Sequence, residues 1–257
     1  MSGARRALPL HGDAPAPASD APDSAAAAER DVGVVLVAAG SGTRVGGGEL
    51  KQLRWIAGKP MLLHALQFFH ARPDVAHVVC VLPREVAGDP PPWIFQCDVE
   101  RLSVTVGGKE RSDSVRAGLD DLGPDVKIVL VHDAARPFLD PETTDRVVTE
   151  ARAGRGAVAA LPVVDTLKEV AEDGRTIVRT VERARLWRAQ TPQGFPREML
   201  DRAHQMARRE RMTATDDAAL CERLGLPVVV VRGSERLMKV TEEPDFARAE
   251  ALAEVAE

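Results

Sequence analysis

A glycine-rich loop in the N-terminal third of the chain carries the first residues that could do chemistry. The stretch VVLVAAGSGTRVGGGELKQL, residues 34–53, places five glycines with Arg44 and Lys51 directly after an apolar run. A buried strand that ends in a loop poor in side chains lets backbone N–H groups close on an anion. We therefore interpret this stretch as a phosphate-binding loop.

Two familiar glycine motifs fit this loop poorly. A Walker A motif requires a hydroxyl residue after its lysine, and Lys51 is followed by glutamine. The dinucleotide-binding fingerprint requires a third small residue where the chain has Val45. It also requires an acidic residue at the end of the second strand, where the chain reads VLPR up to Arg84. This partial match, together with Arg84, leaves a non-catalytic or NADP-dependent nucleotide-binding protein as an alternative.

A second stretch, VLVHDAARPFLDPE at residues 129–142, places Asp133 at the carboxyl end of another apolar run. Ligands of open α/β sheets bind outside the carboxyl ends of the strands, so we expect Asp133 and the glycine loop to share a cleft. A carboxylate beside phosphates suits Mg²⁺. The alternative is that Asp133 caps the turn before the next helix. His132, its neighbour on an extended chain, points the opposite way and is predicted to be a structural hydrogen-bonding residue.

A third stretch, GGKERSDSVRAGL at residues 107–119, follows a predicted strand and opens a predicted helix. Gly107 and Gly108 permit close approach of the backbone, and residues 112–114 lie where side chains either cap a helix or bind a ligand. Capping accounts for part of this pattern. The double glycine favours a ligand.

Lys239 lies between two apolar residues in the stretch RLMKVTEEPDFARAE near the C-terminus. The Thr-Glu-Glu-Pro sequence that follows is typical of a helix start. A lysine on a short strand beside a helix is ordinarily a solvated edge charge, so Lys239 alone gives little support for a function.

Length and composition limit the classes of protein. The 257 residues, 44% of them hydrophobic, suffice for one large α/β domain or two small ones. No apolar run approaches the ~20 residues of a membrane span. A net charge of −5 argues against nucleic acid as the main ligand. The three cysteines lack the paired spacing of a zinc site or a redox dithiol, so we expect a reducing, cytoplasmic setting.

Strand-like and helix-like segments alternate from Asp31 onward. Strands are predicted at 32–38, 75–82, 102–106, 126–131, 157–161 and 226–232, and helices at 60–70, 110–121, 141–153, 197–208, 215–224 and 243–256. This alternation predicts a domain over residues 31–257, an α/β fold with a mostly parallel, Rossmann-like sheet flanked by helices. Residues 1–30, rich in alanine, proline and aspartate, are predicted to be a disordered tail.

The segment 163–193 breaks the alternation. Two runs of alternating polar and apolar residues flank Asp173-Gly174, and an Asp-Gly pair in that context predicts a β-hairpin. A two-stranded hairpin is only marginally stable alone. The predicted β-arm, about residues 163–190, should therefore pack on its own subunit or on a second copy of the chain, and we favour a homodimer.

Seven motifs carry a resemblance to a known family. They read VLVAAGSGTR with KQL, then GGKERSDSV, VHDAARPF, DTLK, TVERARLWRAQTPQ, ATDDAA and MKVT, in this order from Val35 to Thr241. Together they resemble the 2-C-methyl-D-erythritol 4-phosphate cytidylyltransferases. These enzymes of the non-mevalonate isoprenoid pathway join CTP to methylerythritol phosphate and release pyrophosphate. The resemblance implies a nucleotidyltransferase fold, these two substrates, Mg²⁺ as cofactor and a homodimer formed through the β-arm.

The resemblance also implies the roles of particular residues. The loop that binds the CTP phosphates corresponds to Ala38, Ala39, Gly40, Gly42, Arg44 and Lys51. The segment around cytosine and ribose corresponds to Gly107, Gly108 and Ser114. Asp133 matches the magnesium aspartate, and its loop is completed by Ala134 and Arg136. Thr166 and Arg183 match hairpin residues that reach the methylerythritol phosphate of the neighbouring subunit. The remaining wall of the site corresponds to Thr191, Thr215, Asp216 and Lys239.

The chemistry implied by the resemblance requires no general base. The nucleophile is a phosphate monoester, which already carries about −1.5 to −2 charge near neutral pH. The site must instead reduce the repulsion between two polyanions and stabilise charge at the attacked α-phosphate. Arg44, Lys51 and Lys239 are the catalytic residues that the resemblance implies, with Lys51 stabilising the departing pyrophosphate.

Two further enzymes remain as alternatives. A ribitol-5-phosphate cytidylyltransferase shares the loop and the hairpin but often has Gly-Gly where this chain has Ala39-Gly40. A sugar-1-phosphate nucleotidyltransferase would show an additional metal-binding aspartate downstream, which we cannot place in this sequence.

Overall fold

The computed structural model describes residues 29–40 and 50–254. Its strands are β1 (Val32–Val37), β2 (Trp55–Ile56), β3 (Lys59–Pro60), β4 (Val75–Leu82), β5 (Leu102–Val106), β6 (Ile128–Asp133), β7 (Gly156–Pro162), β8 (Leu167–Val170), β9 (Ile177–Val181), β10 (Trp187–Pro196) and β11 (Val228–Arg232). Its α-helices are α1 (Met61–Ala71), α2 (Arg84–Ala87), α3 (Arg111–Asp120), α4 (Pro141–Arg152), α5 (Arg197–Glu210), α6 (Asp217–Arg223) and α7 (Glu243–Glu254). The predicted tail over residues 1–30 lies almost wholly outside the described residues, so it stays a prediction.

Within the described residues, the centre is a seven-stranded sheet with the order β11-β7-β10-β6-β1-β4-β5. Strand β1 pairs in parallel with β4 and β6, β4 with β5, and β7 with β11. Strand β10 alone is antiparallel to its neighbours in this sheet, β6 and β7. The predicted α/β fold with a mostly parallel sheet is therefore confirmed.

Helices cover both faces of the sheet, which is why its parallel strands read as largely apolar runs. Side chains alternate across a strand, and in β1 Val34 and Leu36 face one hydrophobic cluster while Val35 faces another. The first cluster is covered by α1 and α4, and the second by α3, α5 and α6. This packing leaves the edge formed by the carboxyl ends of the parallel strands for a site.

Strand β10 was not among the predicted strands. Its residues WRAQTPQGFP contain two prolines and a glycine, and they lack a run of β-branched residues. The register shifts between Ala189 and Gln193, and the Thr191-Pro192 peptide bond is cis. Pairing with its two neighbouring strands stabilises this strand, because its own residues have low β-propensity.

The predicted hairpin is formed by β8 and β9, which pair antiparallel. Its turn has Gly174 at φ 65°, and the Asp173 carboxylate accepts hydrogen bonds from the N–H groups of Arg175 and Thr176. The hairpin strands are shorter than the predicted arm, because the residues from Trp187 onward pair with β7 in the central sheet. Ile177 and Val178 are both 59% exposed on this hairpin.

None of the helices in the described parts of the chain is both long and apolar enough to span a membrane.

Candidate active site

Two adjoining cavities open at the carboxyl edge of the sheet. The larger has a volume of about 460 Å³, and its lining includes Ala38, Ala39, Gly40, Lys51, Gly108, Ser114, Asp133, Ala134 and Lys239. The smaller has about 230 Å³, and its lining includes Asp133, Arg136, Thr191, Thr215, Asp216 and Lys239. Asp133, Lys239 and Arg111 line both cavities. The structure thus brings together residues that the sequence scatters over more than half of the chain.

Backbone hydrogen bonds hold the two loops that form the floor of the larger cavity. The Ala38 N–H donates to the Val81 carbonyl at 2.8 Å, and the Ala134 N–H donates to the Val37 carbonyl at 3.0 Å. Both loops therefore leave their strands in fixed positions. The cavity lining that they supply includes Ala38, Ala39, Gly40, Ala134 and Ala135, whose short side chains suit a phosphate-binding site.

The double glycine has a packing explanation that the sequence did not reveal. A Cβ at Gly107 would lie 2.2 Å from the Ala39 Cβ, and one at Gly108 would lie 2.2 Å from the Asp113 Cβ. Gly107 therefore lets the glycine loop approach the start of α3. Only Gly108 is part of the cavity lining.

Ser114 fastens the same loop from within α3. Its hydroxyl accepts a hydrogen bond from the Gly108 N–H at 3.2 Å and donates to the Glu110 carbonyl at 3.3 Å. The helix begins with a capping box, in which Glu110 and Asp113 satisfy each other's backbone N–H groups. Asp113 and Glu110 therefore account for the helix capping that the sequence pattern indicates, whereas Ser114 shapes the cavity wall.

Asp133 is held between two cations. Its Oδ2 accepts from Lys239 Nζ at 2.7 Å and its Oδ1 accepts from Arg111 Nε at 3.2 Å. Burial would raise the pKa of Asp133, but the charges of Arg111 and Lys239 outweigh it and hold the pKa below the ordinary value. Helix α4 is capped instead by Asp140, whose carboxylate accepts from the Thr143 N–H at 2.8 Å. The capping alternative for Asp133 was therefore wrong.

His132 has the structural role that its position predicts. It is fully buried, with Nε2 2.9 Å from the Arg136 carbonyl and Nδ1 3.1 Å from the Thr191 hydroxyl. A carbonyl can only accept, so Nε2 carries the ring proton. Burial lowers the pKa of His132 to about 4, which keeps the ring neutral near neutral pH.

Arg111 is the residue of the site that sequence reasoning missed. It is the first residue of α3, where a cation is disfavoured by the helix dipole. That unfavourable placement, three residues after a glycine pair, was the available signal that its charge serves another partner. Its Nη1 donates to Asp217 at 2.7 Å, in addition to the bond to Asp133.

The smaller cavity is bounded by the start of α6. Asp216 caps this helix through the Ala219 N–H at 3.0 Å, and its other oxygen accepts from Gln193 Nε2 at 2.8 Å. Thr191 accepts a hydrogen bond from the Asp133 N–H at 3.1 Å. Gln193 is a second residue to which the sequence interpretation gave no role.

The remaining predicted residues lie elsewhere or cannot be placed. Lys51 reaches the larger cavity, and its Nζ donates to the Val240 carbonyl at 2.8 Å. Gly42 and Arg44 lie outside the described residues. Thr166 and Arg183 are exposed at the base of the hairpin and line neither cavity.

The donor set fits Mg²⁺ that is held mainly by a ligand's phosphates. Within residues 29–40 and 50–254, no three histidine, cysteine or acidic side chains form a metal-binding group. Mg²⁺ commonly binds through one or two carboxylates together with phosphate oxygens and water. The ionised Asp133 supplies one such carboxylate at the wall shared by both cavities.

A mostly parallel sheet, with cations and one ionised aspartate at the carboxyl ends of its strands, defines an α/β protein of the nucleotidyltransferase type. Comparisons with known proteins place the chain within that class. The IspD family model, described as 2-C-methyl-D-erythritol 4-phosphate cytidylyltransferase, matches residues 32–254. The chain belongs to this family.

Individual relatives support the assignment. A 2-C-methyl-D-erythritol 4-phosphate cytidylyltransferase of Streptomyces coelicolor is 44% identical over 227 residues, covering 85% of this chain and 83% of the relative. A protein of the same name from Pelotomaculum thermopropionicum is 42% identical, covering 86% of this chain and 93% of the relative. The crystal structure of the Thermus thermophilus protein of that name superposes with a TM-score of 0.71 at 35% identity. The match covers 88% of this chain and 99% of that one.

Proposed function

We propose that this protein transfers a cytidylyl group from CTP to 2-C-methyl-D-erythritol 4-phosphate. The products are 4-diphosphocytidyl-2-C-methyl-D-erythritol and pyrophosphate, in the non-mevalonate route to isoprenoid precursors. The observation that carries the proposal is the wall of Asp133, Lys239 and Arg111 shared by two adjoining cavities in a chain of this family. A reaction between two phosphorylated substrates needs such a pair of sites with cations at their boundary.

The larger cavity suits the nucleotide. Its volume of about 460 Å³ lies within the ordinary range of small-molecule sites. Its lining includes Ala38, Ala39 and Gly40 of the glycine-rich loop, together with Gly108 and Ser114. The smaller cavity then receives the acceptor phosphate, between Arg136, Thr191 and Thr215.

The reaction is a displacement at the α-phosphorus of CTP. A phosphate oxygen of methylerythritol phosphate forms the new bond to that phosphorus, the bond to the bridging α–β oxygen breaks, and pyrophosphate leaves with that oxygen. The acceptor is already an anion near neutral pH, so no residue has to remove a proton. Lys51, Lys239 and Arg44 act by lowering the repulsion and by stabilising charge on the transferring group.

Asp133 would hold Mg²⁺ in the complex with CTP. When bound, the ion neutralises phosphate charge and orients the phosphate oxygens. Asp133 is suited to this role because its pKa is held below the ordinary value, so the carboxylate is ionised throughout the neutral range.

The site is completed, in this proposal, by the hairpin of a second subunit. Thr166 and Arg183 line neither cavity of their own chain, and the strand residues Ile177 and Val178 expose apolar side chains. A second copy that covers these side chains would account for both observations. We expect the homodimer to work in the cytoplasm.

Two alternatives are tested by the same assay. A ribitol-5-phosphate cytidylyltransferase would use the same cations with a different acceptor. The nucleotide-binding or NADP-dependent alternative was based on the partial fingerprint and on Arg84. Arg84 is exposed in α2 and lines neither cavity. The structure therefore gives that alternative no additional support.

The assay measures pyrophosphate release. Purified protein with Mg²⁺ is supplied with CTP, UTP or ATP, each with methylerythritol phosphate or with ribitol 5-phosphate. Release with CTP and methylerythritol phosphate alone is the expected result. Release with the ribitol ester alone would keep the chemistry and change the substrate. Folded protein that releases no pyrophosphate in any mixture, yet binds NADPH tightly, would refute the proposal.

A further inference from the structure

Arg111 spans the boundary between the two cavities with one nitrogen to spare. Its Nε is bonded to Asp133 at 3.2 Å and its Nη1 to Asp217 at 2.7 Å. Its Nη2 is buried and has no hydrogen-bond partner among the described residues. A buried guanidinium N–H without an acceptor costs free energy, so the native complex should supply one.

Asp217 and His204 form a support behind Arg111. The Asp217 side chain is 1% exposed and the His204 side chain 4% exposed, and His204 Nε2 lies 2.9 Å from Asp217 Oδ1. The second carboxylate oxygen, Oδ2, accepts from Arg111. Neither residue lines either of the two cavities described above, so we expect their influence on a ligand there to pass through Arg111.

This support fixes the orientation of the guanidinium. A guanidinium is planar, so fixing two of its three nitrogens also fixes where the third one lies. Asp133 holds Nε and Asp217 holds Nη1, which leaves the buried Nη2 as the guanidinium nitrogen without an acceptor. The buried carboxylate and imidazole are therefore more than packing: they define the position of a cation at the wall of both cavities.

We propose that Arg111 binds a phosphate oxygen at the boundary between the nucleotide and the acceptor through Nη2, and that Asp217, held by His204, is the residue that positions it. This inference rests on the proposed function. The oxygen belongs either to the phosphates of CTP or to the acceptor phosphate, and the two sources share the same chemistry. Lysine cannot replace Arg111 here, because an ammonium cannot hold two carboxylates and a phosphate in this fixed planar arrangement.

The experiment compares four variants with the wild-type enzyme. Arg111→Lys keeps the positive charge but lacks the planar set of N–H donors of a guanidinium, and Arg111→Ala removes both the charge and the donors. Asp217→Asn removes the charge behind the guanidinium, and Arg155→Ala is a control that removes an arginine paired with Glu150 away from both cavities. Circular dichroism and thermal melting identify the variants that fold. If Asp217→Asn does not fold because its side chain is buried, Arg111→Lys and Arg111→Ala still test the proposal.

Kinetics and chemical rescue provide the decisive readouts. We expect Arg111→Lys and Arg111→Ala to lower kcat/KM by about 10²–10³, as loss of a positioned donor does in other enzymes. Added guanidinium should raise the kcat/KM of Arg111→Ala at least about tenfold, and methylammonium at equal ionic strength should not raise it. Asp217→Asn should lower kcat/KM about tenfold and gain nothing from guanidinium, because its own guanidinium is still present. A rise in KM for CTP assigns the oxygen to the nucleotide, and a rise in KM for the acceptor assigns it to the acceptor.

The outcomes separate this inference from the proposed function. If the wild type is active and folded Arg111→Lys matches it, the inference is wrong and the function stands. If guanidinium gives no rescue of folded Arg111→Ala, the inference is also wrong. If the wild type releases no pyrophosphate, calorimetry with CTP and with inorganic phosphate decides. Binding to Arg111→Lys about tenfold weaker than to wild type supports the phosphate contact, and equal binding overturns it.

Discussion

Lys239 Nζ donates a 2.7 Å hydrogen bond to Oδ2 of Asp133, although the two residues are 106 positions apart in the sequence. The lysine is held in place by its neighbour Val240, which is fully buried and whose N–H donates to the Ala135 carbonyl at 2.8 Å. The segment after the last strand is thereby pinned to the loop after β6. A cation is thus fixed beside the carboxylate, at the wall common to both cavities.

Lys239→Ala should lower kcat by about 10²–10³, because the transferring phosphate loses a positioned cation. The same change leaves Asp133 with Arg111 as its remaining partner, so the protein should still fold. Pyrophosphate release under saturating CTP measures the effect. Lys127→Ala removes an exposed lysine paired with Glu29 and is the matched control, with kcat expected at the wild-type value. Equal kcat in the two variants would exclude Lys239 from the catalytic residues.

Lys51→Ala should also lower kcat by about 10²–10³. Lys51 enters the larger cavity directly after the glycine loop, and its Nζ reaches the Val240 carbonyl at 2.8 Å, beside Lys239. Lys59→Ala, which removes a lysine of β3 bonded to Gln67 of α1, serves as the control. Single-turnover measurement with labelled CTP separates the chemical step from product release. A loss confined to KM would show that Lys51 contributes binding only.

If the hairpin completes the site of the partner subunit, two variants that are inactive alone should regain activity when they are mixed. Lys51→Ala disables a cavity in its own chain, and Arg183→Ala disables the hairpin that would reach the partner's cavity. In an equal mixture, half of the dimers are hybrids and one of their two sites is intact, so about one quarter of wild-type activity should return. Subunit exchange is verified by mass spectrometry of differently labelled chains. Full exchange without recovered activity would contradict a site shared between subunits.

Most of the sheet could be predicted from the sequence because both of its faces are buried. Its parallel strands are then continuous apolar runs with boundaries that the composition reveals, as at Val75–Leu82. Strand β10 could not be predicted, since its prolines and glycine are tolerated only through the pairing that β6 and β7 provide. Long-range pairing overrides local propensity there.

The site could be predicted only where a motif also has a fixed backbone position. Asp133 ends a buried strand, so its location at the carboxyl edge follows from the fold class. The ion pairs of Asp133 with Arg111 and Lys239 join segments separated by 22 and 106 residues, which no local pattern indicates. The placement of Thr166 and Arg183 depends on a second copy of the chain, and it stays a prediction.

Gly107→Ala should destabilise the protein by about 1–3 kcal/mol, the usual cost of overpacking a tight contact. Its new methyl group would meet the Ala39 Cβ at 2.2 Å, so the glycine loop or the start of α3 has to move. Gly123→Ala is the matched control, since a Cβ there meets nothing within 4 Å. Urea denaturation should show a lower free energy of unfolding for Gly107→Ala and an unchanged or slightly higher one for Gly123→Ala. Equal stability of both variants would mean that the packing explanation for Gly107 is wrong.

His132 should make the protein less stable in mild acid. Burial lowers the pKa of His132 from its ordinary value of 6.5 to about 4, so between these values the unfolded chain binds a proton that the folded chain does not. Stability is therefore complete above about pH 7 and falls as the pH decreases through the range of the unfolded pKa. The contribution of this one group should be about 2 kcal/mol between pH 7.5 and pH 5.

The measurement for His132 compares how much the free energy of unfolding of each protein changes between pH 7.5 and pH 5, rather than the free energies themselves. His132→Phe removes the titrating ring and its two hydrogen bonds, so this variant is less stable at pH 7.5 for reasons unrelated to protons. Urea denaturation of both proteins at pH 7.5 and pH 5 isolates the titration, because other groups contribute to the pH dependence of both. The wild type should lose about 2 kcal/mol more than His132→Phe over this range. An identical loss in the two proteins would show that His132 titrates normally in the folded state, and that it is not the neutral bridge between Arg136 and Thr191 that the geometry indicates.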